Sequence, residues 1–449
     1  MIDQVLAFLS EKRYQEAKNI IKDMNAVDVA EVFEELKEND ERDISLRLFR
    51  IMPKELAAES FAYMDSDTQQ GIIETISDNE LRYILDDMYL DDFVDMVEEM
   101  PANVVARVLK NTSYKNRTLI NQYLQYPDDS AGSLMTSEYV YFRSRLTVAQ
   151  AFEVIRKTGL DKETIYTCYV IDAERHLKGV VTVRDLLLAD PETQVGDIMK
   201  SNMIYAHTLD DKEEIAKTFS RYDMLALPVV DKEDRLVGII TIDDAVDVIQ
   251  EENTEDFEKM AGMAPSEDTY LKTPVFKLAQ NRIIWLVVLM LSSMITGSLM
   301  EQYEAAIATL PLLVSFIPML MGTGGNCGSQ ASTVIIRGMA LDEIELSDFV
   351  KVWFKEVRVA LLCSFVLSVI NFLRIWLQYG DAEVALTVSL TLIATVCIAK
   401  SLGCILPMLA KKLRLDPAIM AAPMITTLTD AASIVVFFNI AVRLLSARL

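Results

Sequence analysis

The chain has 449 residues and a formal net charge of −24, from 43 Lys+Arg against 67 Asp+Glu. From Arg282 onward, 12 basic residues stand against 11 acidic ones, whereas the preceding part holds 31 basic and 56 acidic residues. The strong negative charge of the part before Arg282 argues against nucleic acid and anionic membrane surfaces as partners, because both are polyanions. The length allows roughly two to four domains, and the charge divides them into an acidic water-soluble portion and an apolar, nearly neutral one.

The cysteines and histidines predict no metal or catalytic centre. The five cysteines lack metal-type spacing and an even disulfide framework, and four of them lie in the apolar portion. His176 and His207 are isolated and fall in predicted loops. The segment Met1–Ser10 lacks the basic region and long apolar core of a signal peptide, so we expect none.

Residues 1–130 predict an acidic, all-α N-terminal domain. Apolar positions recur at helical spacing without strand-like alternation. Short units end at Met52-Pro53 and Met100-Pro101, which indicates a superhelix of short helices. The following domain is expected to face acid clusters at Asp86-Asp87, Asp91-Asp92, Asp95 and Glu98-Glu99.

Residues 131–250 contain an internal repeat. Tyr166–Asp190 predicts a strand, a turn, a strand and a helix, and Leu225–Ile249 repeats this order. Gly179, Thr182 and Asp185 of the first unit align with Gly238, Thr241 and Asp244 of the second. Amphipathic helices precede each unit, at Val148–Lys157 and Glu213–Tyr222, and a Met-Thr or Met-Lys pair stands at each entrance.

This arrangement resembles a tandem CBS pair, with one CBS domain over 131–192 and the second over 193–250. In CBS domains the Gly-x-x-Thr-x-x-Asp pattern marks a place where the ribose of an adenine nucleotide can bind. The resemblance therefore implies ATP or AMP as a ligand that this pair could bind, with Arg184 and Asp185 fitting the pattern beside Thr182 and Thr241. Many CBS pairs bind no nucleotide, and the sequence shows no aromatic residue assignable to adenine stacking.

A long acidic helix is predicted over Asp243–Met263, ending near Gly262 and leading through Pro274 to the apolar part. It forms the core of a connecting segment over 243–275. A rigid rod of this kind would transmit motion from the soluble portion to the membrane.

Five segments are predicted to form transmembrane helices, because the length of each is close to the roughly 20 apolar residues that are needed to cross a bilayer. They form a domain over 276–449 and lie at about 278–302, 305–337, 350–378, 384–411 and 417–446. The second is long enough to span with a break. The predicted fold is therefore multi-domain: an all-α N domain, an α/β CBS pair, a connecting helix and a five-helix membrane bundle.

The loop charges predict the orientation. Basic residues precede the first span and follow the second and fourth, at Lys272, Lys277, Arg282, Arg337, Lys351, Lys355, Lys411, Lys412 and Arg414. The loops around Glu301–Glu304 and Asp381–Glu383 contain no Lys or Arg. The positive-inside rule then places the N-terminal portion in the cytoplasm and the C-terminus outside, in a multi-pass protein of the cell membrane.

Asp430 interrupts the fifth span. It has 12 uncharged residues on each side, Ala418–Thr429 and Ala431–Val442, which places the carboxylate near mid-bilayer. A charge there costs about 2.5–3.5 kcal/mol on insertion scales, so it should face water, an ion or a partner. A buried pair with Lys400, or a protonated acid, is the structural alternative.

Two further polar features lie in the second and fifth spans. Glycines across Gly322–Gln330 should weaken the helix and free backbone carbonyls such as that of Gly325, which with Asn326 and Gln330 are hard oxygen donors. Close helix packing through small residues is the alternative. Pro423 should free a carbonyl one turn back, and hydroxyl oxygens come from Thr426 and Thr427.

Oxygen-only chemistry around one acid suits Mg²⁺ or Ca²⁺ better than Zn²⁺ or Cu²⁺. One acid per chain is too few to hold a divalent ion, whereas a symmetric homodimer would bring two carboxylates to one axis.

The order of parts, with Gly324–Gln330 and the run from Asp416-Pro417-Ala418 to Thr426-Thr427-Leu428-Thr429-Asp430, resembles the MgtE family of magnesium channels. The resemblance implies a homodimer whose second and fifth helices line the pore and whose acid at Asp430 holds hydrated Mg²⁺. It also implies regulatory Mg²⁺ sites between the N domain, the CBS pair and the connecting helix. The acids that match those sites are Asp91, Asp95, Asp211, Glu213, Asp223, Asp244, Asp247, Glu252, Glu255 and Asp256.

The predicted function is passive uptake of Mg²⁺, without a catalytic site, under negative feedback from cytoplasmic Mg²⁺. We find no P-loop or other ATPase motif, and the membrane potential alone favours entry of a divalent cation. Three alternatives remain at this stage. They are transport of Mn²⁺, Co²⁺ or Ca²⁺, transport of an anion or organic solute, and a membrane-embedded enzyme under CBS control. Asp430 argues against an anion, and the lack of a nucleophile–base pair argues against an enzyme.

Overall fold

A computed structural model describes residues 1–39, 41–266, 270–271, 273–420 and 422–445. These residues form two compact units, Met1–Ile249 and Gln250–Leu449. Lys272, one of the residues used to predict orientation, and the end of the fifth predicted span at residue 446 lie outside the described residues.

The first part of the first unit is helical, as the sequence predicts. Its helices are α1 (Ile2–Ser10), α2 (Tyr14–Ile21), α3 (Ala26–Glu38), α4 (Arg42–Ile51), α5 (Lys54–Ala62), α6 (Ser66–Thr75), α7 (Asp78–Asp87), α8 (Leu90–Glu99), α9 (Ala102–Asn111), α10 (Tyr114–Tyr123) and α11 (Ala131–Leu134). Helices α4 and α8 end just before Met52-Pro53 and Met100-Pro101, because proline cannot continue a helix.

Local sequence sets several of these helix boundaries. Ser77 accepts a hydrogen bond from the backbone N–H of Glu80, whose side chain accepts one from the backbone N–H of Ser77, a capping box at the start of α7. Edge-to-face contacts join Phe33 to Phe49 and Phe49 to Phe61 across α3, α4 and α5. The N domain is therefore a row of short helices around a shared aromatic and aliphatic core.

The repeat folds as two similar three-stranded sheets. The first half contains β1 (Tyr139–Arg143), α12 (Val148–Thr158), β2 (Thr164–Ile171), β3 (Leu177–Thr182), α13 (Val183–Leu188) and α14 (Val195–Ile198). The second contains β4 (Ala206–His207), α15 (Lys212–Tyr222), β5 (Ala226–Val230), β6 (Leu236–Thr241) and α16 (Ile242–Met260). In each sheet the first strand is parallel to the second, and the second is antiparallel to the third.

The entrance segments of the two repeats cross over to the opposite repeat. A Cβ at Gly238 would lie 2.7 Å from Met135 Sδ, and a Cβ at Gly179 would lie 2.9 Å from Met199 Sδ. Each methionine therefore packs where the other repeat has no side chain, and this close approach explains the repeated glycine. The aligned methionines and glycines therefore form equivalent packing contacts in the two repeats.

The connecting helix α16 begins at Ile242 and ends at Met260, near the predicted limits. Gly262 follows with a φ of +71°, a conformation that favours glycine and ends the helix. The change of direction at Gly262 lies within the second unit.

The helices of the second unit are long and apolar, except for one of six residues over Glu304–Thr309. They are α17 (Val275–Glu301), α18 (Glu304–Thr309), α19 (Ile317–Ala340), α20 (Phe349–Tyr379), α21 (Ala382–Lys412) and α22 (Ala422–Leu444). Among the described residues, four helical segments are long and apolar enough to cross a membrane: Val275–Glu301, Leu346–Tyr379, Ala382–Lys412 and Pro417–Leu444. Helix α19 is not in this set because glycine, Asn326, Gln330 and hydroxyl residues lower its mean hydropathy.

Two predictions about backbone irregularity are wrong. The break in the second predicted span falls at a 3₁₀ turn over Pro311–Phe316, before α19, and Gly322–Gln330 lies within continuous helix. Its carbonyls are therefore engaged in the helix. Pro423 is the second residue of α22, where a missing N–H breaks no helical hydrogen bond, so it frees no carbonyl one turn back.

Candidate functional site

Asp430 lies in the middle of α22 among uncharged residues. One of its carboxylate oxygens, Oδ1, is buried and has no hydrogen-bond partner among the described residues. Lys400 does not neutralise it, because the buried Lys400 ammonium donates to Glu356 Oε2 at 3.3 Å. The alternative of an Asp430–Lys400 pair is therefore wrong, and the carboxylate keeps the capacity to accept hydrogen bonds from a hydrated cation.

The glycines of α19 form its packing face. A Cβ at Gly324 would lie 2.7 Å from the methyl groups of Thr395 and Thr429, and one at Gly325 would lie 2.8 Å from the methyl group of Thr426. These contacts hold α19 directly against α21 and α22. The packing reading of the glycine run, which the sequence left as an alternative, is thus correct for Gly324 and Gly325, and the structure brings Gly325 and Thr426 together.

The polar residues of α19 lie on another face. Asn326 and Gln330 are exposed in the single chain and are one helical turn apart. The Thr426 and Thr427 hydroxyls donate to the carbonyls of Ala422 and Pro423, at 2.6 and 2.8 Å. Their oxygen lone pairs therefore remain available to accept, while their protons are used within α22.

A cluster of acidic side chains forms in the first unit, and we call it the acid cluster. It joins the N domain to the CBS pair and contains Asp91, Asp92 and Asp95 of α8, Glu163 before β2, and Asp243 and Asp244 of α16. Asp91 and Asp95, which are one turn apart on α8, both lie near Asp244. The structure therefore brings together three of the predicted regulatory acids.

Burial, together with repulsion between these carboxylates, raises their pKa values. It raises the pKa of Asp92 and Asp244 to about 6, of Asp95 to about 7 and of Glu163 to about 8. The buried Asp91 carboxyl also has a pKa well above its ordinary value. Oε2 of Glu163 is buried without a partner among the described residues. Such a cluster is unfavourable when fully ionised, and a hard divalent cation bound by carboxylate oxygens would relieve it.

The other predicted regulatory acids do not all lie together. Asp211 caps the start of α15 and Glu213 pairs with Lys217 at 2.9 Å, whereas Asp223 follows the last residue of α15. Asp211 and Asp223 are twelve residues apart along a helix, about 18 Å, so one ion cannot bind both. Asp247, Glu252, Glu255 and Asp256 lie along α16, and Glu255 pairs with Lys259.

Sequence reasoning missed Glu163 and Asp243 as members of the acid cluster, whereas Asp92 was among the acids expected to face the CBS pair. Asp243 adjoins the predicted residue Asp244, so an adjacent acid pair was an available signal. Glu163 stands alone in the sequence, and its place became visible only with the fold.

The aligned Thr and Asp residues of the repeats act as helix caps. Thr182 Oγ1 donates to Asp185 Oδ2 at 2.7 Å, and Thr241 Oγ1 donates to Asp244 Oδ2 at the same distance. The motif therefore has a structural function in both repeats, whether or not a nucleotide binds. Arg184, between the first pair, is exposed.

His176 is not isolated, contrary to the sequence-based expectation. Its ring nitrogen Nδ1 lies 3.0 Å from Asp172 Oδ2, and Glu174 lies close to both. Asp172 also pairs with Lys178 at 3.1 Å and accepts the backbone N–H of His176, so these contacts shape the β2–β3 turn. His207 lies in β4 rather than in a loop.

Comparison with known proteins accounts for the order of the parts. A family described as a divalent cation transporter matches residues 317–440, the MgtE intracellular N domain matches 24–129, and the CBS domain matches 131–192 and 195–251. The magnesium transporter MgtE of Thermus thermophilus is 35% identical over 98% of this chain and 97% of its own length. The chain belongs to the MgtE family.

Two further relatives agree with this assignment. The Bacillus subtilis magnesium transporter MgtE is 31% identical over 98% of this chain and 96% of its own length. The crystal structure of the cytosolic domain of the Mg²⁺ channel MgtE in complex with ATP has a TM-score of 0.52 and 34% identity. It covers 55% of this chain and 100% of that one. The MgtE family thus includes the helical N domain, the CBS pair and the helical membrane region found here.

Proposed function

We propose that this protein admits Mg²⁺ passively into the cell through a path between α19 and α22 of a homodimer. The observation that carries the proposal is the carboxylate of Asp430, which lies within a membrane-spanning helix and forms no ion pair with any residue that the structure describes. Entry needs no other energy source, because a divalent ion gains about 2 × 2.3 kcal/mol per 100 mV of inside-negative potential. Magnesium is named as the cargo of the relatives from Thermus and Bacillus.

The pore is proposed to use five crossings, with α19 as the second. A helix of 24 residues is long enough to cross a bilayer, and a polar face is tolerated where it lines water rather than lipid. Asn326, Gln330, Thr426 and Thr427 would contact the waters of the hydrated ion. Gly325 would permit the close approach of α19 and α22, and paired Asp430 residues would supply the charge.

Feedback is proposed to act through the acid cluster. Without Mg²⁺ the carboxylates of α8, α16 and Glu163 repel, so the N domain and CBS pair separate. Bound Mg²⁺ would neutralise them and draw these parts together, with α16 moving against the pore. The remaining predicted acids, Asp211, Glu213, Asp223, Asp247, Glu252, Glu255 and Asp256, stay proposals of the same kind.

ATP is proposed as a ligand of the CBS pair near Thr182, Arg184, Asp185 and Thr241. The support is the ATP complex of the related cytosolic domain. Calorimetric titration of ATP decides this, and an Arg184→Gln variant with unchanged affinity would place the nucleotide elsewhere.

A related function, transport of Mn²⁺, Co²⁺ or Ca²⁺, remains the second candidate. The family description, divalent cation transporter, does not restrict the cargo to Mg²⁺. Mg²⁺ keeps its waters more firmly than Ca²⁺ does, so a path built from waters, hydroxyls and one carboxylate per chain favours Mg²⁺.

The Asp430→Asn variant tests the proposed ion path. It keeps the size and removes the charge, and we expect Mg²⁺ flux into liposomes to fall at least tenfold while folding and assembly persist. Glu301→Gln, at the exposed end of α17, is the matched control and should keep wild-type flux. A well-folded Asp430→Asn protein with normal flux would show that the ion site lies elsewhere.

A further inference from the structure

A cavity of about 680 Å³ opens where α8 and α10 of the N domain meet both CBS repeats. Its walls include the start of β1, the segment before β2, and the β2–β3 and β5–β6 turns. Thr182, Asp185, Thr241 and Asp244 do not line it. The cavity is therefore distinct from the capping motif at which ATP is proposed, and its size is typical of small-molecule sites.

Cationic side chains from four separate segments line this cavity. They are Lys115 of α10, Lys162 before β2, Arg175 of the β2–β3 turn and Arg235 of the β5–β6 turn. The ammonium groups of Lys115 and Lys162 form no ion pair with any residue that the structure describes. In a chain whose net charge is −24, this concentration of positive charge is unusual.

The arginine of the β2–β3 turn is held in place at the cavity wall. Arg175 has a φ of +73°, and its guanidinium donates to Tyr139 Oη at 2.8 Å and to the Leu236 carbonyl at 3.2 Å. A guanidinium has five N–H donors, so others remain for a ligand. A fixed, planar donor group of this kind suits phosphate oxygens.

The acidic residues at the cavity wall oppose an anion only weakly. Asp231 Oδ1 accepts the backbone N–H groups of Glu233 and Arg235, at 2.8 and 3.0 Å, and so shapes its own turn. Burial raises the pKa of Glu138 to about 7, although Lys162 and Lys115 lie near it. Asp161 is the third acid of the lining. Arg235 is paired with Glu233, which lies outside the lining, so the unpaired positive charge at the wall comes from Lys115, Lys162 and Arg175.

Neutral hydrogen-bonding groups complete the lining. Tyr123 is almost fully buried and its hydroxyl has no hydrogen-bond partner among the described residues, and Tyr141 also lines the cavity. The Tyr139 hydroxyl is used within the wall, because it donates to the Leu236 carbonyl at 3.1 Å. Asn116 and Gln122 add side-chain amides from α10. Phenol and amide donors are common partners of phosphate oxygens, so the wall offers donors at several positions rather than one charged point.

We propose that this cavity binds a small polyphosphate anion and that the ligand bridges the N domain to the CBS pair. Lys115 would bind it from the N domain, while Lys162, Arg175 and Arg235 would bind it from the CBS repeats. The two sites would bind ligands of opposite charge. Divalent cations would neutralise the acid cluster, and the polyphosphate would neutralise the cationic side chains of the cavity. Occupation of both sites favours the docked N domain.

Calorimetric titration of the full-length protein in detergent with inorganic tripolyphosphate tests the proposal. The buffer contains EDTA and no Mg²⁺, so that metal chelation does not contribute heat. It is held at pH 6, where protonation of the acid cluster favours the docked N domain without Mg²⁺. We expect saturable binding that weakens at least tenfold in a Lys115→Gln/Arg175→Gln double variant. Lys110→Gln, an exposed lysine of α9 outside the cavity, is the control and should bind as the wild type does.

Hydrogen exchange on the same samples locates the ligand. Tripolyphosphate should slow exchange in α10 and in the β2–β3 and β5–β6 turns of the wild type and of Lys110→Gln. Absence of saturable binding at millimolar tripolyphosphate would overturn the proposal. So would affinity that survives in the double variant, or affinity that is lost in Arg184→Gln, because the anion would then occupy the capping motif.

Discussion

At the scale of single residues, two kinds of carboxylate carry the functional argument. Asp430 is a lone acid within an apolar helix, whereas Asp95 and Glu163 lie among other acids in the soluble unit. A lone intramembrane carboxylate can attract a passing cation. A crowded carboxylate group instead opposes docking until protons or cations neutralise it.

The acid cluster predicts how docking depends on pH. Ordinary carboxyl pKa values are about 4, and in the docked structure they rise to about 6 for Asp92 and about 8 for Glu163. The docked form therefore binds more protons between about pH 4 and 8, so docking without Mg²⁺ weakens as pH rises through this window. We expect the Mg²⁺ concentration that protects the soluble part from proteolysis to be higher at pH 8 than at pH 6.

An Asp92→Asn/Glu163→Gln variant supplies the comparison for this experiment. It removes two titrating groups, and its Mg²⁺ requirement should depend less on pH and be lower at pH 8. Equal Mg²⁺ requirements at both pH values in the wild type would contradict the role given to the cluster.

At the scale of secondary-structure elements, glycine decides how the membrane helices pack. Helix α19 approaches α21 where Gly403 faces the carbonyl of Gly328, and it approaches α22 at Gly324 and Gly325. Without side chains at these positions, α19 can approach α21 and α22 closely.

Gly403→Ala should therefore disturb the α19–α21 contact. A Cβ at Gly403 would overlap the backbone carbonyl of Gly328, and overpacking of this kind costs about 1–3 kcal/mol. Gly297→Ala is the matched control in α17, because a Cβ there meets nothing within 4 Å. Thermal unfolding in detergent should show a lower midpoint for Gly403→Ala and no loss for Gly297→Ala; equal midpoints would disprove the close contact.

Ion pairs of Lys259 join the end of the connecting helix to the segment that begins the last span. The Lys259 ammonium contacts the carboxylates of Glu255 and Asp416, the latter at 2.6 Å, and Asp416 also accepts the Ala418 N–H at 2.8 Å. Burial opposes the charge, but these hydrogen bonds raise the pKa of Lys259. The contact couples α16 to the helix that contains Asp430.

Lys259→Met should release this contact. It leaves Glu255 and Asp416 without their shared cation, so hydrogen exchange near the end of α16 should become at least several-fold faster. Lys351→Met, which breaks an exposed pair with Asp348 at 2.8 Å, is the control and should leave α16 unchanged. Unchanged exchange in Lys259→Met would mean that other contacts hold the helix end.

At the scale of the whole molecule, the division into an acidic unit and an apolar unit matches a membrane protein with a large soluble portion. The positive-inside rule predicts its orientation, with the basic loops and the N-terminal portion on the cytoplasmic side. In a cysteine-free background, cysteines at Glu304 and Glu383 should react with an impermeant thiol reagent from outside, and one at Lys412 should react only after permeabilisation. The reverse pattern would contradict the proposed orientation.

Much of the fold could be predicted because it depends on local patterns. The strands and helices of both repeats, the connecting helix and the helical N domain follow from periodicity, caps and breakers that act over a few residues. The break before α19 was misplaced, because glycines that weaken an isolated helix are tolerated where neighbouring helices pack against them. The Lys400–Glu356 pair was missed, since its two residues lie 44 positions apart.

The sequence by itself determined the order of the parts, the family and the intramembrane acid at Asp430, because charge distribution, hydropathy and short motifs are properties of the chain. The tertiary structure alone decided which acids share a site. It separated Asp223 from Asp211, brought Glu163 to Asp92 and Asp244, and assembled four distant cations around one cavity. Electrostatic interaction depends on distance and burial in three dimensions, and separation along the chain does not specify either one.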